Sequence, residues 1–405
     1  MKLSVAYTFE PGLINKLIEY KDIYEVYGKP VNDFIGGGRS GYTLRNASFR
    51  HLRKVVDICH NNGIEFNYLL NGANLGGVEQ TKAGHKKIRK LLDKLTEFKI
   101  DSITAASPML TKLIKKQYPH FKIRVSAFAM IDSPLKAKQW EDIGADALCL
   151  SAISCNRDFN TLRKIRKSVD AELQLIANAS CILKCAYEPT HMNLLADSSR
   201  KSHPLKGMCL DYCILNCAQK RLNDKSNYIR ATWIRPEDTV FYEDIGIDSF
   251  KIVERSLPAD LLLKRVNAYS RKSFDDNLYE ITGPVAQIKK EQNTSLFQRL
   301  KMIKTMLKPG KIKISSLLRM KHFAEELIPH DFSRENSHIY IDNKKLDGFL
   351  ESYINNGCGN DNCEDCSLCR NWAEKAVTIK TKKNNELLVM AESLDKSIHD
   401  SSLWL

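Results

Sequence analysis

Five cysteines lie close together in the middle of the chain, and their spacing indicates a metal site. They follow the apolar run 171–179 and are Cys181, Cys185, Cys209, Cys213 and Cys217. Cys181/Cys185 and Cys213/Cys217 have the i,i+4 spacing that places two side chains on one face of a helix or tight turn. Each pair can therefore present two thiolates to one centre. Thiolates select zinc or iron–sulfur clusters, because calcium and magnesium prefer oxygen ligands. The spacing alone does not separate these two metals.

A second group of cysteines lies near the C-terminus. Its members have the spacing C-x4-C-x2-C-x2-C and are Cys358, Cys363, Cys366 and Cys369. This spacing is compact enough for one loop to surround a centre, and it overlaps ferredoxin-type spacings. A structural zinc site and a second 4Fe-4S cluster both fit it. We expect this module to be separable from the rest of the chain, because its ligands are local and follow a change in composition.

Length and composition are those of a globular protein with a full core. The chain has 405 residues, of which 43% are hydrophobic, so we expect one large domain and a smaller one. The N-terminus lacks the apolar region of a signal peptide, and no apolar run approaches the roughly 18 residues of a membrane span. We therefore expect no membrane span and a cytoplasmic location. Twelve cysteines in a reducing compartment favour metal ligands or catalytic thiols over disulfides.

The charge balance points to an acidic partner. The formal net charge is +14 and the isoelectric point is about 9.1, which favours nucleic acid or another polyanion. Basic residues are densest between Lys289 and Lys321. That stretch is either a solvated helix face or a docking surface for a polyanion.

Short apolar strands alternate with amphipathic helical patterns along the first two thirds of the chain, which indicates repeated βα units. Gly63, Gly144 and Gly246 are expected to end helices just before strands. The eight candidate strands lie at 3–8, 23–27, 62–70, 99–105, 122–128, 143–151, 172–177 and 245–253. Eight strands in about 255 residues predict a closed (βα)8 TIM-type barrel, with a doubly wound open sheet as the alternative. We divide the chain into a barrel (1–282), a basic helical linker (283–335) and a C-terminal cysteine-rich module (336–405).

A barrel of this type builds its catalytic face from residues just beyond the C-terminal ends of the strands. The candidates for catalysis or substrate binding are Arg39, Asn71, His191, Arg235, Lys251 and Arg255. Four of them are cations that can hold a carboxylate or a phosphate, although the acids beside Arg235 could make it a loop anchor instead. The run Gly36-Gly37-Gly38 lacks the Lys-Ser/Thr of a P-loop, so it is either a plain turn or a loop that aims Arg39 at an anion. His191 is close enough in sequence to reach the first cysteine group, but a structural role is the more common one for a single histidine.

The run from Trp233 to Arg255 resembles the signature of the collagenase-like peptidase family of unknown catalytic type, family U-32. The segments 33–39 and 178–185 and the strand ending at Asn71 resemble it too, so the likeness covers about residues 1–282. It implies a barrel-type fold and a 4Fe-4S cluster held by the cysteines after strand seven. It also implies relatives that, despite the name, are oxygen-independent hydroxylases acting on RNA bases or on the quinone ring. Some RNA-directed members take oxygen from prephenate.

Three functions follow from these observations. The first is a 4Fe-4S enzyme that hydroxylates or otherwise oxidises an RNA base or a small anionic metabolite, with a donor of oxygen or electrons that the sequence does not name. Its cluster ligands would be the two matched pairs, Cys181, Cys185, Cys213 and Cys217, with Cys209 in reserve. The second is a peptidase, although the chain has no H-E-x-x-H or G-x-S-x-G motif. The third is a non-catalytic zinc scaffold that binds RNA through the basic linker.

Overall fold

Eight parallel strands form a closed barrel in the computed structural model, which describes residues 1–31, 33–200, 203, 210–283, 312–356, 358, 363 and 366–404. The strands are β1 (Leu3–Ala6), β2 (Ile23–Gly28), β3 (Glu65–Leu70), β4 (Ser102–Ala105), β5 (Lys122–Val125), β6 (Ala147–Cys149), β7 (Glu172–Ile176) and β8 (Ser249–Ile252). They pair in chain order, and β8 pairs with β1, with Leu3 opposite Phe250. This closure confirms the predicted TIM-type barrel and excludes the open sheet.

Helices follow the strands and cover the outside of the barrel. Within the described residues they are α1 (Leu13–Leu17), α2 (Phe49–Asn61), α3 (Lys82–Glu97), α4 (Pro108–Gln117), α5 (Pro134–Asp142), α6 (Ala152–Cys155), α7 (Phe159–Ser168), α8 (Glu188–Ser199), α9 (Tyr212–Asn223), α10 (Ser226–Ile229), α11 (Thr239–Asp244), α12 (Ala259–Ser270), α13 (Leu278–Thr282), α14 (Ile314–Leu327), α15 (Glu351–Asn356), α16 (Leu368–Ala376) and α17 (Thr381–His399). Gly63, Gly144 and Gly246 each lie two residues beyond a helix, with φ of 68°, 105° and 87°. These left-handed values confirm the predicted helix stops, which turn the chain into β3, β6 and β8.

The inside of the barrel is polar, whereas TIM barrels are usually filled by branched apolar side chains. Glu25 on β2 is fully buried and pairs with Arg124 on β5, three strands away, so the two side chains meet inside the barrel. Glu25 also accepts hydrogen bonds from Ser4 (2.5 Å), Asn67 (3.1 Å) and Ser102 (3.2 Å). The interior is therefore held together by a charged network rather than by hydrophobic packing alone.

The C-terminal part of the chain packs onto the barrel. A two-stranded antiparallel sheet of β9 (Ile339–Ile341) and β10 (Val377–Ile379) is fixed by Asn277, whose Nδ2 donates to Ile339 O at 2.9 Å. Phe349 and Tyr353 belong to the same hydrophobic core as the barrel residues. This shared core argues against our expectation that the module is separable, and that expectation stays a prediction until the module is removed.

Some predictions on domain organisation fall outside the described residues. These are Cys209 and most of the basic linker, of which the structure describes residues 283 and 312–335. The boundaries at 282 and 336 stay predictions. None of the helices in the described ranges combines the length and hydropathy that a bilayer span requires.

Candidate active site at the barrel mouth

The first cysteine group lies at the C-terminal ends of the strands, where β7 leaves the barrel. Asn178 fixes this exit, because its Nδ2 donates to Val253 O at 2.5 Å and its Oδ1 accepts from Val253 N at 2.8 Å. The chain then continues into Cys181 and Cys185. Cys181 is exposed and Cys185 is half-buried, so both thiols lie at the mouth, as the sequence predicts.

Helix α9 supplies the other pair of thiols, Cys213 and Cys217, from one face. Its opposite side carries Leu215 and Leu222, which pack against α14 and α17. The thiols of Cys185 and Cys217 share a hydrogen bond, and that bond lowers the pKa of Cys185 below the ordinary value for a thiol. Cys181 and Cys213 both interact electrostatically with Cys185. All four predicted ligands are thus brought together from two separate segments.

A buried arginine stabilises negative charge at this thiol group. Arg221 is 6% exposed, donates to the carbonyl oxygen of Ser180, and acts electrostatically on both Cys181 and Cys217. Its charge favours thiolates, the form that binds metals. Sequence reasoning missed this residue, although its position four residues after Cys217 on a helix is a usable signal.

The donor set consists of thiols, which as thiolates suit zinc or an iron–sulfur cluster. The described cysteines are all free of disulfides. A single zinc ion needs four sulfurs at about 2.3 Å from one point, whereas no three His, Cys, Asp or Glu side chains among the described residues converge in that way. A 4Fe-4S cluster likewise takes four cysteine thiolates. The choice between zinc and a cluster at Cys181, Cys185, Cys213 and Cys217 stays a prediction.

The second cysteine group lies beside the first. Burial and the nearby Cys369 raise the pKa of Cys358, which is also influenced by Cys363, Cys366 and Lys184. Lys184 belongs to the loop between Cys181 and Cys185, so the two groups are neighbours. Cys369 Sγ lies 3.0 Å from the hydroxyl of Tyr353, a residue of the shared core. Zinc and a second 4Fe-4S cluster both remain compatible with these four thiols.

The glycine loop closes over the same mouth, but Arg39 is not free to bind a substrate. Its Nη2 pairs with Glu254 Oε2, and its Nη1 donates to Gly38 O at 3.0 Å. The loop itself is held by Gly37 N, which donates to Ser199 Oγ at 2.7 Å, and by Lys29 Nζ, which donates to Gly36 O at 2.5 Å. Arg39 therefore fastens the loop to the end of β8.

Two of the other predicted residues have protein partners as well. Arg235 is 2% exposed, and its Nη2 lies 2.6 Å from Asp347 Oδ1 of the C-terminal segment. His191 Nε2 lies 3.0 Å from Asp211 Oδ2, which joins α8 to the start of α9 near the thiols. Arg235 thus matches its alternative interpretation as an anchor, and His191 is the candidate that the structure brings close to the cysteine group.

Lys251 and Arg255 are the predicted cations that form no direct ion pair in the described part of the chain, although Glu25 acts electrostatically on Lys251 and Glu254 on Arg255. Lys251 lies inside the barrel, with Nζ 4.0 Å from the centre of the Tyr27 ring, and burial lowers its pKa. Arg255 is 6% exposed, and burial lowers its pKa too. Asn71 Oδ1, at the end of β3, has no hydrogen-bond partner among the described residues. Arg255 and Asn71 therefore present polar groups at the mouth, and Lys251 presents one inside the barrel.

Comparison with known proteins identifies the family of this chain. The sequence model of peptidase family U32 matches residues 34–306, which is more than half of the chain. The chain belongs to peptidase family U32. This U32 chain is also 28% identical over 369 residues to the "Uncharacterized protease MJ1657" of Methanocaldococcus jannaschii, covering 91% of this chain and 92% of that protein.

Two of the solved structures that resemble this U32 chain have TM-scores below 0.5. The U32 peptidase Mk0906 has a TM-score of 0.46 and 20% identity, and the match covers 63% of this chain and 93% of that one. A chitinase (RmChi1) from Rhizomucor miehei has a TM-score of 0.38 and 14% identity, covering 67% of this chain and 100% of that one. The barrel is established by the strand pairing itself rather than by these scores.

Three serines at the mouth of the U32 barrel have structural roles. Ser107, Ser126 and Ser151 follow β4, β5 and β6, as expected for residues of a catalytic face. Each side chain accepts a hydrogen bond from a backbone N–H of the following helix or 3-10 turn. They are therefore N-caps, and this role explains their presence without any part in chemistry.

Proposed function

We propose that this U32 protein is an iron–sulfur enzyme that performs an oxygen-independent hydroxylation, or a related redox modification, of an RNA base or a small anionic metabolite. One observation carries the proposal: four thiols from two separate segments meet at the mouth of the barrel, the face at which TIM barrels carry out chemistry. A metal with a purely structural role has no need of that position. The thiols would hold a 4Fe-4S cluster, which supplies a centre that can change its electron count.

The residues around the thiols suit this role. Arg221 favours the thiolate form, and the hydrogen bond between Cys185 and Cys217 holds the β7–α8 segment against α9. Cys181 is exposed, so this edge of the group faces a substrate approaching from solvent. Arg39 lies close enough to act electrostatically on Cys181, and it connects the thiols to the glycine loop. The proposed redox centre would thereby lie next to the glycine loop.

The available cations support an anionic substrate or donor. Lys251 and Arg255 are buried and form no direct ion pair with the described residues, and a buried charge without a direct partner is costly unless a ligand neutralises it. Arg39 would hold the loop rather than the substrate, because Glu254 already neutralises it. The substrate would therefore be bound deeper than the loop, towards the inside of the barrel.

A peptidase is the second candidate, and one observation favours it beyond the family's name. His191 is paired with Asp211 at 3.0 Å and acts electrostatically on Cys185, which resembles the base and orienting acid of a cysteine peptidase. Against it, the thiol of Cys185 is hydrogen-bonded to Cys217, and ligation to a cluster would remove it as a nucleophile. The proposed enzyme therefore requires Cys185 to be bound to the cluster, whereas a peptidase requires Cys185 to be a free nucleophile.

The test begins with protein purified without oxygen. We expect bound iron and inorganic sulfide in the wild type, and loss of both in Cys213→Ala. Mass spectrometry of tRNA, rRNA and small metabolites would then compare anaerobic cells with and without the protein. We expect the cells without it to lack a product about sixteen mass units heavier than its precursor, the mass of one added oxygen. Unchanged profiles, together with peptide cleavage by iron-free protein, would favour the peptidase.

A further inference from the structure

Three neighbouring helices on the outside of the barrel hold most of the protein's net positive charge. Helices α2, α3 and α4 follow β2, β3 and β4, and they contain twelve Lys and Arg residues against three acidic residues, a net charge of +9. The whole chain has a net charge of +14. Because β2, β3 and β4 are consecutive strands of the barrel, this charge is concentrated on one side of the molecule.

Side-chain contacts join the three helices into one surface. Arg53 on α2 pairs with Glu97 on α3, with Nη1 and Oε1 3.7 Å apart. From another turn of α3, Arg89 Nε donates to Gln117 Oε1 of α4 at 3.0 Å. We call the surface formed by α2, α3 and α4 the basic face. It is continuous across the three helices.

Each helix of the basic face carries two exposed cations at i,i+4 spacing, which places both on the same side of the helix. They form no ion pair and no hydrogen bond with the described residues, and they are Arg50 and Lys54 on α2, Lys86 and Lys90 on α3, and Lys112 and Lys116 on α4. Like charges at this spacing destabilise a helix, so helix stability does not explain the pattern. A polyanion bound along the face would remove the repulsion.

The spread of these six cations fits a nucleic-acid backbone. Residues four apart lie about 6 Å apart along a helix axis. Since packed helices are about 8–10 Å apart, the cations extend over about 20 Å across the three helices. One strand of a duplex carries a charge about every 3.4 Å along the axis, so it presents about six phosphates in that distance.

The basic face lacks the apolar side chains that a membrane or a protein partner would contact. None of the large apolar side chains exposed in the described part of the chain belongs to α2, α3 or α4. The apolar sides of these helices, with Val55, Leu91 and Leu110, are buried in the core of the barrel. Membrane-surface helices insert an apolar side into the bilayer, and protein interfaces are depleted of Lys. A phosphate backbone is therefore the partner that this surface fits.

We propose that the basic face binds the phosphate backbone of RNA, along the side of the barrel that leads to its mouth. A helix that follows a parallel strand starts at the mouth and returns the chain to the other end of the barrel. Lys86 and Lys112 are each the fifth residue of their helix, so they lie about 6 Å from its mouth end. An RNA strand held here can extend over the mouth. The inference rests on the proposed function in choosing RNA among the polyanions.

The experiment measures binding of a fluorescently labelled, single-stranded RNA of mixed sequence to the full-length protein purified without oxygen, by anisotropy at several salt concentrations. Lys86→Gln/Lys90→Gln removes two phosphate contacts and should weaken binding about tenfold or more at low salt. The slope of log K against log salt should become shallower by about 1.4, because each contact on a single strand contributes about 0.7. Lys164→Gln/Lys167→Gln, at two exposed lysines of α7 across the barrel, is the matched control and should keep the wild-type affinity and slope.

The stability of the variants and the iron content of the protein keep the outcomes separate. All four substituted lysines are exposed, so both double variants should melt close to the wild type. Equal RNA affinity of wild type and Lys86→Gln/Lys90→Gln, equal losses in the two double variants, or tighter binding of DNA of the same sequence would overturn the proposal. So would wild-type protein that binds vesicles of phosphatidylserine and phosphatidylcholine but no RNA.

The same measurements distinguish this inference from the proposed reaction. RNA binding that depends on Lys86 and Lys90, in a protein without iron and without a modified product, would leave the basic face standing and count against the reaction alone. A protein with iron and a modified product, whose RNA affinity is unchanged in Lys86→Gln/Lys90→Gln, would count against the basic face alone.

Discussion

Asp347 Oδ1 lies 2.6 Å from Nη2 of Arg235, a contact between residues 112 positions apart in the chain. Asp347 is 77% exposed and Arg235 is 2% exposed, so a surface carboxylate reaches in to a buried guanidinium. Arg157 strengthens the same junction, since its guanidinium lies 4.4 Å from the centre of the Trp233 ring and 4.6 Å from that of Phe349. The C-terminal segment therefore packs directly against the outside of the barrel.

Removal of the C-terminal segment should unfold the barrel. A chain ending at residue 335 loses Phe349 and Tyr353 from the shared core and exposes Trp233 and Arg157. Each large apolar side chain buried in a core contributes about 1.5–3 kcal/mol, and a whole domain is stable by only about 5–15 kcal/mol. We expect residues 1–335 to be insoluble, or soluble without a cooperative thermal transition by circular dichroism. A soluble fragment that melts cooperatively would show that the segment is dispensable.

Single substitutions of the four thiol ligands should remove iron from the first site. Cys213→Ala is the best variant, because Cys155 offers a control that is equally buried: both cysteines are 1% exposed. We expect iron and sulfide to be lost at that site in Cys213→Ala, and in the same change at positions 181, 185 and 217, but kept in Cys155→Ala. Full iron in Cys213→Ala would assign the fourth ligand to Cys209, and full iron in all four variants would rule out this cluster.

Neutralising Glu25 should destabilise the inside of the barrel. Glu25→Gln leaves Arg124 buried without its main partner, and breaking a buried ion pair on one side costs about 3–5 kcal/mol. Chemical denaturation measures this loss. The double variant Glu25→Gln/Arg124→Met removes both charges and should recover part of the stability. Lys138→Met, which breaks surface pairs with Glu141 and Asp142, is the control and should melt close to the wild type. If the single and double variants lose the same unfolding free energy, Glu25 and Arg124 do not stabilise the protein as a pair.

Acid should weaken the protein through His338. Burial lowers the pKa of His338 to about 4, and its Nε2 has no hydrogen-bond partner among the described residues. The unfolded chain takes up this proton near pH 6.5, whereas the folded protein does so only near pH 4. The free energy of unfolding should therefore fall as the pH drops from about 6.5 to 4, by up to about 3 kcal/mol from this group.

His338→Gln isolates this contribution, because an amide does not titrate. The difference in unfolding free energy between wild type and His338→Gln should shrink or reverse as the pH falls through that window, while other acid effects cancel. His322→Gln, at a histidine whose side chain is 63% exposed, should follow the wild type at every pH. A constant difference between wild type and His338→Gln from pH 7 to pH 4 would mean that His338 is accessible to protons in the folded state.

The fold was predictable from the sequence because its signals are local. Each strand is a short apolar run, and three helix stops are single glycines, so all eight strands and Gly63, Gly144 and Gly246 could be assigned from neighbouring residues alone. The position of the thiols followed in turn, because the end of β7 fixes it. Local patterns also predicted that the C-terminal module is separable, because its compact cysteine spacing carries no information about the core that it shares with the barrel.

The pairing of charges was not predictable, because it depends on contacts between distant segments. Arg39 and Arg255 look alike in the sequence, yet Glu254 neutralises Arg39 and leaves Arg255 unpaired. Arg235 is bound by Asp347, more than a hundred residues later. A basic side chain becomes a candidate for binding the substrate only when it is known which protein carboxylates already pair with it. That knowledge needs the three-dimensional structure.

Helix α9 also sets an order of events during synthesis. One side of it carries Cys213 and Cys217, and the other side rests on α17 through Leu215 and Leu222. Because α17 is translated long after α9, the ribosome releases both cysteines well before the surface that supports their helix exists. The packing that supports their helix is therefore complete only after translation has passed residue 399, and the cluster that we propose on these thiols would be assembled after that point.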